Sequence, residues 1–242
     1  MARRGSPADR SAIPEVLDAL QGQIRPHFLF NALTTIQAFV RERPSLAEEL
    51  IESLARYTQT VLTRRGPVFL AEELALVHLY LGLERVRLGA RLRTVFDVDP
   101  LALGVSVPAL LVQPLVENAV VHAAARRADG ATLRLAVRYR RARDRLVVVV
   151  ADDGPGMGRV SPPAADPGDG DESPLRLQVG LRNTRLRLQT VYGDAGRLRL
   201  LRRPGGGTIA ALTLPAGMVV GRRAGRGLLR SGLSGSKPWS GR

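Results

Sequence analysis

The sequence of 242 residues contains no cysteine, a single lysine and three histidines. The absence of cysteine excludes a disulfide scaffold, a thiolate metal site and a cysteine nucleophile. Three histidines leave little scope for a histidine-based metal cluster. No apolar run is long enough to cross a bilayer, and residues 1–10 lack the apolar core of a signal peptide. The lone lysine is Lys237, so the Gly-Lys-Ser or Gly-Lys-Thr of a P-loop is also missing.

The chain is strongly basic, with 36 lysines and arginines, 22 acidic residues and a formal charge of +14. Such a balance is typical of nucleic-acid binders, which bind DNA with a steep dependence on salt. The distribution favours another explanation, because six of the excess charges lie in residues 216–242, where no acidic residue occurs. Hydrophobic residues make up 45% of the chain, which excludes a wholly disordered protein. We therefore expect a folded core and no specific nucleic-acid partner.

Residues 13–65 predict a helical hairpin. The apolar spacing over residues 13–40 is helical but changes phase at Pro26-His27. Because proline lacks an amide donor and disfavours helix at Arg25, a kink or a local break is expected there. Residues 45–48, Ser-Leu-Ala-Glu, match a capping box at the start of a second helix. The predicted apolar stripes comprise Leu29, Leu33, Ile36 and Val40 on the first helix and Leu50, Leu54, Tyr57 and Val61 on the second. Because such a hairpin leaves an apolar face uncovered, pairing with a second copy is expected.

Residues 66–215 predict an α+β domain, followed by a disordered basic tail over residues 216–242. Strict alternation over residues 132–139 indicates a half-buried strand. The apolar run 146–151 indicates a strand that is covered on both sides or lies deep in a sheet. The other expected elements are a flexible terminus at 1–12, helices at 70–88, 107–125 and 178–192, strands at 91–98, 197–201 and 208–214, and a mobile loop at 161–174.

The first segment with chemical potential is 23–31, which contains His27 and Asn31. A neutral imidazole is a good nucleophile near neutral pH and accepts a phosphoryl group on nitrogen. Asn31 follows His27 by four residues and so shares its helix face, where an amide can orient a water or a carboxylate. By itself, this spacing is more typical of a structural histidine beside a proline.

A second segment, 115–122, places Asn118 and His122 four residues apart with Glu117 adjacent. A carboxylate can act as a general base, and an amide oxygen is a hard ligand suited to Mg²⁺. Taken alone, these residues equally describe the solvated face of a helix.

Three further motifs follow along the chain. Asp152, directly after the apolar strand, can accept a hydrogen bond from an exocyclic amine such as that of adenine. Gly154 and Gly156 allow the backbone to approach a ligand closely. Gly180, expected beside a helix N-terminus, suits a phosphate, and Thr208 offers a hydroxyl at the start of the last strand. Each pattern alone is ordinary turn, cap or strand chemistry.

Together and in this order, the motifs resemble those of the LytS-type sensor histidine kinases, two-component kinases with a GHKL-type ATP-binding domain. Segment 23–31 is similar to the phosphoacceptor box, 115–122 to the N box, 152–156 and 180–183 to the two glycine boxes, 207–215 to the closing strand and 73–92 to the linker-proximal helix. The resemblance covers residues 20–215. It implies a dimerisation and phosphoacceptor hairpin followed by a Bergerat-type α/β sandwich with a mixed, mainly antiparallel sheet.

The resemblance also implies roles for individual residues. His27 would accept the phosphoryl group, Glu117 would be the general base, and Asn31 would position a water. In the nucleotide site, Asn118 would coordinate the Mg²⁺ that bridges the phosphates, and His122 would lie near the phosphates. Asp152 would bind the adenine amine, with Thr208 assisting through a water. Gly154, Gly156 and Gly180 would let the backbone close over ATP. Departures from the family pattern are Ala123 and Gln178 in place of glycines and Leu186 in place of a glutamate.

We therefore expect a homodimeric protein-histidine kinase that uses ATP and Mg²⁺, autophosphorylates His27 and transfers the phosphoryl group to an aspartate of a response regulator receiver domain. The departure at Gln178 motivates one alternative, a degenerate nucleotide-binding scaffold without kinase activity. A GHKL ATPase or Ser/Thr kinase and a basic nucleic-acid-binding protein are the others. The sequence has no membrane-spanning segment, so the chain is expected on the cytoplasmic side. Its signal is expected to come from a separate sensor or membrane subunit, or from a sensor region that is missing if the sequence is a fragment.

Overall fold

The computed structural model describes residues 25–124, 128–156 and 174–217. The predictions for the flexible terminus, for the loop up to residue 173 and for the tail from residue 218 lie outside the described residues. The helices are α1 (Pro26–Glu42), α2 (Pro44–Thr63), α3 (Leu70–Leu88), α4 (Gln113–Ala119) and α5 (Pro174–Tyr192). The strands are β1 (Pro67–Phe69), β2 (Leu92–Val98), β3 (Ser106–Pro108), β4 (Ala131–Arg140), β5 (Arg145–Asp152), β6 (Arg197–Arg202) and β7 (Thr208–Pro215).

The hairpin of α1 and α2 agrees with the prediction at the start of α1 and differs from it at the start of α2. Arg25 is extended, with φ −72° and ψ 121°, and Pro26 opens α1 in the position where its missing amide costs no hydrogen bond. The extended Arg25 agrees with the local break that was expected there as the alternative to a kink. The predicted capping box at 45–48 is wrong, because α2 already begins at Pro44 and no side chain caps it.

The buried faces of the hairpin match the prediction on α2 and only partly on α1. The predicted stripe of α2 is buried throughout. On α1, Ile36 is buried as predicted, whereas Leu33 and Val40 are 55% and 52% exposed. Phe28 and Ala32 take their place, because the α1 face that contacts α2 and α3 is rotated from the predicted stripe. Two further large hydrophobic side chains, Phe30 on α1 and Ile51 on α2, are also exposed.

The segment 107–125, predicted as one helix, contains three different structures. Pro108 pairs with Pro67 in the antiparallel β1–β3 ladder. Leu110 then adopts a left-handed φ of 57°, which is incompatible with a continuing helix. Only Gln113–Ala119 is α-helical, and a π-helical turn follows at Val120–Ala124. Pro114 lies in the first turn of α4 and so does not kink it.

Helix α3 begins and ends at the predicted residues, and β1 and β3 form a two-stranded sheet beside it. The larger sheet has the order β2-β4-β5-β7-β6. Only the pair β2–β4 is parallel, so the sheet is mixed and mainly antiparallel, as predicted. The apolar strand β5 is central, which confirms the prediction that it lies deep in a sheet. Because β5 and β7 are antiparallel, Asp152 at the end of β5 lies beside Thr208 at the start of β7.

Helices and sheet form two layers around a continuous apolar core. The residues of β4, β5 and β7 alternate between buried and more accessible positions, as expected when one face packs against helices. Helix α3 contacts β2, α4 contacts β5, and α5 contacts β6 and β7. The hairpin joins this core through Phe28, whose ring centroid lies 5.0 Å from that of Tyr57 and 5.1 Å from that of Tyr80. The fold therefore brings the start of α1 close to α3 and α4.

Candidate nucleotide and phosphoacceptor site

His27 lies in the first turn of α1 and is half-buried. The amide nitrogen of Asn31 lies 3.2 Å from Nδ1 and 3.4 Å from Nε2 of the imidazole. The two residues therefore share one helix face, as their spacing predicts. The amide is close enough to restrict the orientation of the ring. The catalytic roles of His27 and Asn31 remain predictions.

Glu117, the acidic residue of α4, makes a set of contacts that joins the hairpin to the rest of the fold. Its Oε1 accepts the Tyr57 hydroxyl at 3.0 Å and the Gln113 amide at 3.1 Å. Its Oε2 lies 3.2 Å from Nε of Arg25, which precedes His27 by two residues. Burial, followed by the Glu117 charge, raises the pKa of Tyr57 well above its ordinary value, so Tyr57 remains a neutral donor. The predicted base is thus in direct contact with the segment that carries the predicted phosphoacceptor.

Asn118 and His122 lie on either side of the change from α-helix to π-helical turn. Asn118 is buried on α4, whereas His122 is half-buried within the π-helical turn. That the two side chains project together, as their four-residue spacing predicts, stays a prediction. Their proposed positions near the phosphates and Mg²⁺ remain predictions.

Asp152 is a buried carboxylate held by backbone donors. Its Oδ1 accepts the N–H of Gly154 at 2.9 Å and the N–H of Thr208 at 3.3 Å. Burial raises the pKa of Asp152, and the two backbone hydrogen bonds oppose that rise. A carboxylate oriented in this way can accept a hydrogen bond from an amine that enters the same edge of the sheet. Thr208 is also buried there, so the structure brings these two predicted residues together.

Glycines are required around Asp152 for steric reasons. A Cβ on Gly154 would lie 2.7 Å from both Cα and Cβ of Ala123, in the π-helical turn. A Cβ on Gly156, which has φ +77°, would lie 3.0 Å from the carbonyl oxygen of Gly207. Gly154 therefore allows the end of β5 to pack against the segment after α4, and Gly156 allows it to approach the start of β7.

The prediction that Gly180 opens a helix is wrong. Helix α5 begins at Pro174, so Gly180 lies in the helix interior, where its carbonyl accepts the Thr184 hydroxyl at 3.0 Å. The argument from free amides at a helix N-terminus does not apply there. A Cβ on Gly180 would only touch Cβ of Pro114 at 3.8 Å, which shows that this part of α5 lies beside α4. A contact of Gly180 with nucleotide remains a prediction.

Several residues of the site did not stand out in the sequence. Gln113 precedes Glu117 by four residues, so helix spacing alone offered a signal for that contact. The sequence places Tyr57 only in the apolar stripe of α2, with no sign of its contact with Glu117. Arg203, whose Nη1 donates to the carbonyl oxygen of Asp152 at 3.3 Å, is one of many arginines, and no local pattern distinguishes it. Arg25 has no local signal of this kind either, because its partner lies far away in the sequence.

Two family models match the chain. The first is histidine kinase, over residues 15–92, and the second is histidine kinase-, DNA gyrase B-, and HSP90-like ATPase, over residues 107–218. Together they describe a histidine kinase segment followed by an ATPase domain of this type. The chain therefore belongs to the histidine kinases.

Similar proteins place the chain more narrowly. Sensor histidine kinase YpdA of Escherichia coli is 32% identical over 187 residues, which cover 76% of this chain and 32% of YpdA. Sensor protein LytS of Staphylococcus saprophyticus is 36% identical over 143 residues, which cover 58% of this chain and 24% of LytS. The uncharacterized protein YwpD of Bacillus subtilis is 30% identical, with 81% of this chain and 68% of YwpD covered. The chain is a histidine kinase of the LytS type, and it spans about a third of YpdA and a quarter of LytS.

A solved structure with a similar arrangement is the histidine kinase domain of the blue-light activated histidine kinase EL346 of Erythrobacter litoralis. It is 21% identical, with a TM-score of 0.44, and the match covers 76% of this chain and 93% of that one. Among the residues that the structure describes here, none of the helices combines the length and apolar character needed to cross a membrane.

Proposed function

We propose that this chain catalyses the ATP-dependent phosphorylation of its own His27 and passes the phosphoryl group to an aspartate of a response regulator receiver domain. The observation that carries the proposal is the 3.2 Å ion pair between Arg25 and Glu117. It joins the segment with the phosphoacceptor motif to the helix with the N-box motif. In the proposed reaction this contact keeps the predicted base close to the segment that carries the predicted phosphoacceptor.

In the proposed nucleotide site, adenine lies at the edge of the sheet where β5 ends and β7 begins. Asp152 accepts the exocyclic amine, with Thr208 assisting through a water, and Gly154 and Gly156 keep the backbone close to the ligand. The support is the orientation of the buried Asp152 carboxylate by two backbone donors. Asn118, His122 and Gly180 belong to the phosphate side of the same site.

The side chains present fit a Mg²⁺ ion that is held mostly by phosphate oxygens. The described residues contain no group of three or more histidines, aspartates and glutamates arranged for a metal. Asn118 offers one hard amide oxygen on α4, which agrees with the few protein ligands that Mg²⁺ commonly takes beside a nucleotide. When bound, the ion neutralises charge on the phosphates.

In the proposed step, a ring nitrogen of His27 attacks the γ-phosphorus of ATP. A nitrogen–phosphorus bond forms, the bond from the γ-phosphorus to the β–γ bridging oxygen breaks, and ADP leaves with that electron pair. The ring proton passes to Glu117, and Asn31 orients the imidazole. In this arrangement Arg25, Tyr57 and Gln113 all contact the Glu117 carboxylate, so they fix the position from which Glu117 would accept the proton.

The test is incubation with labelled ATP and Mg²⁺. An acid-labile, base-stable phosphoprotein is expected from the wild type, and the label should vanish in His27→Gln. The control is His78→Gln on α3, because His78 is exposed, stacks on Phe96 and lies outside both motifs. Label that persists in His27→Gln would refute His27 as the acceptor, and acid-stable label would indicate a Ser/Thr kinase instead.

Family membership implies a dimer and a response regulator in general terms, and we propose that α1 and α2 form the contact between two copies. The support is the set of large hydrophobic side chains left exposed on the hairpin, Phe30, Leu33, Val40 and Ile51.

We also propose that the boundary between the phosphoacceptor region and the ATP-binding domain lies between residues 65 and 66. This place is between the end of α2 at Thr63 and the start of β1 at Pro67. We propose a location on the cytoplasmic side, because the reaction needs ATP and a response regulator.

A further inference from the structure

The turn that precedes α4 is held by a buried carboxylate from α3. Glu73 lies in the first turn of α3 and is fully buried. Its Oε1 accepts the N–H of Leu110 at 2.7 Å. Its Oε2 accepts the next two backbone amides, those of Leu111 at 2.9 Å and Val112 at 3.0 Å. One side chain thus satisfies three consecutive backbone donors, which would otherwise be costly to bury.

A guanidinium from α5 holds the same turn from its carbonyl side. Nη1 of Arg187 donates to the carbonyl oxygen of Ala109 at 2.6 Å and to that of Leu110 at 3.3 Å. Leu110 has a left-handed φ of 57°, a conformation that leucine rarely adopts. Since both the N–H and the C=O of Leu110 are bound by side chains from other helices, the turn is held in one geometry from both sides.

This turn determines where α4 begins. Val112 is the N-cap residue of α4, so one of the amides held by Glu73 belongs to the helix start itself. Helix α4 has only 7 residues and is followed by the π-helical turn. A helix this short has little stability of its own, so its position depends on its anchors. Glu117 and Asn118 lie in its last turn, five and six residues after Val112.

Arg187 also connects the turn to the predicted nucleotide side of α5. It follows Gly180 by seven residues, about two helical turns, so the two positions lie on the same side of α5. The Gly180 position lies beside Pro114, in the first turn of α4. Helix α5 therefore lies beside the first turn of α4 at Gly180 and contacts the preceding turn at Arg187.

We propose that Glu73 and Arg187 are positioning residues of the phosphoryl-transfer site. They fix the turn 109–112 and, through it, the position of Glu117 and Asn118 relative to the bound nucleotide. The inference rests on the proposed function, in which Asn118 is the Mg²⁺ ligand. Neither residue lies at the adenine side of the site, so their loss should change the response to Mg²⁺ and leave the binding of the base unchanged.

The test compares Glu73→Gln with Glu72→Gln in the full chain. Glutamine keeps the size of Glu73 but turns one acceptor into a donor that faces backbone N–H groups. Glu72 is the neighbouring carboxylate, 41% exposed, which caps the N–H of Phe69 and does not contact the turn. The matched pair on α5 is Arg187→Met with Arg185→Met, since Arg185 is exposed on the same helix. Arg187→Lys keeps the charge and one donor group.

Two quantities are measured for each variant: the Mg²⁺ concentration that gives half-maximal autophosphorylation, and the affinity for ATP in the presence of EDTA. For Glu73→Gln and Arg187→Met we expect the required Mg²⁺ concentration to rise about ten- to a hundredfold, the usual loss when a residue that orients a metal ligand is removed. Affinity for ATP in EDTA should stay close to the wild-type value, because the contacts proposed for adenine are unchanged. Arg187→Lys should lie between wild type and Arg187→Met.

The outcomes separate this inference from the proposed function. A wild type that shows neither autophosphorylation nor a Mg²⁺ effect on ATP affinity would overturn the proposed function. A wild type that responds to Mg²⁺, together with variants whose Mg²⁺ requirement is unchanged, would overturn the positioning role. An equal loss of Mg²⁺-free ATP affinity would also overturn it, because that loss indicates general damage to the fold. If Glu73→Gln does not fold, the Arg187 series decides by the same criteria.

Discussion

Gly207 provides a sharp test of how the adenine edge is built. It has φ +98°, and a Cβ placed on it would lie 2.8 Å from the carbonyl carbon of Asp152 and 2.9 Å from Cα of Asp153. Gly205, two residues earlier in the same connection, has φ +83° but would place its Cβ in open space. The two glycines therefore share a left-handed backbone, and only Gly207 also faces a close backbone contact.

The expected costs differ because of that contact. Alanine in a left-handed conformation costs about 1–2 kcal/mol, which is the whole effect expected for Gly205→Ala. Forcing an additional methyl group into a packed position costs about 1–3 kcal/mol more. Gly207→Ala should therefore lower the free energy of unfolding by about 2–5 kcal/mol. It should also weaken ATP binding, since the backbone of Asp152 must move to make room.

The assay is urea unfolding followed by far-ultraviolet circular dichroism, with ATP affinity measured on the folded variants. Circular dichroism is the better probe because the single tryptophan, Trp239, lies in the tail. Equal losses of stability in Gly207→Ala and Gly205→Ala would refute the steric reasoning. A Gly207→Ala variant that is destabilised yet binds ATP normally would refute the link between this contact and the orientation of Asp152.

Three further predictions concern other parts of the molecule. Tyr57→Phe removes a buried hydrogen bond to a carboxylate and should lower the free energy of unfolding in urea by about 1.5–3 kcal/mol. Tyr192→Phe is the control, and a loss of stability no larger than in that variant would contradict the contact with Glu117. Leu33→Glu should convert the dimer to a monomer in light scattering without loss of helix content, because Leu33 is 55% exposed within one copy. A dimer that persists in this variant would show that this face of the hairpin is not the dimer contact. Burial raises the pKa of Glu73 from its ordinary 4.5, so the folded state binds that proton more tightly and the resulting stability is lost as pH rises. The unfolding free energy of wild type minus Glu73→Gln should therefore fall as pH rises above 4.5, and a constant difference would contradict it.

The sequence predicted those elements whose signal is local and periodic. Helix α3 has the predicted bounds because its apolar residues recur with helical spacing and Gly89 stops it. Strands β4 and β5 were recognised from alternation and from an apolar run, and each extends only a residue or two beyond its predicted bounds. In these segments the local preference and the final packing favour the same structure, so no tertiary information was needed.

Prediction failed where long-range contacts decide the local conformation. The run 107–125 contains enough apolar residues at helical spacing to predict one helix. Pairing of β3 with β1 and the hydrogen bonds from Glu73 and Arg187 impose a strand and a left-handed turn instead. The partner of β3 and both side chains lie far from this segment in the sequence. The prediction of Gly180 at a helix start was also wrong, because α5 begins at Pro174.

The same distinction applies to the candidate site. The resemblance to the kinase motifs singled out His27, Glu117, Asn118 and Asp152 but gave no indication of what holds them. In the structure, Glu117 is bound on one side by Arg25 and on the other by Tyr57 and Gln113, and it is also the predicted base for His27. The residue predicted to accept the ring proton is therefore also the residue whose ion pair joins the hairpin to α4. A sequence motif does not reveal this double role, because it gives the identity of the base and not its partners.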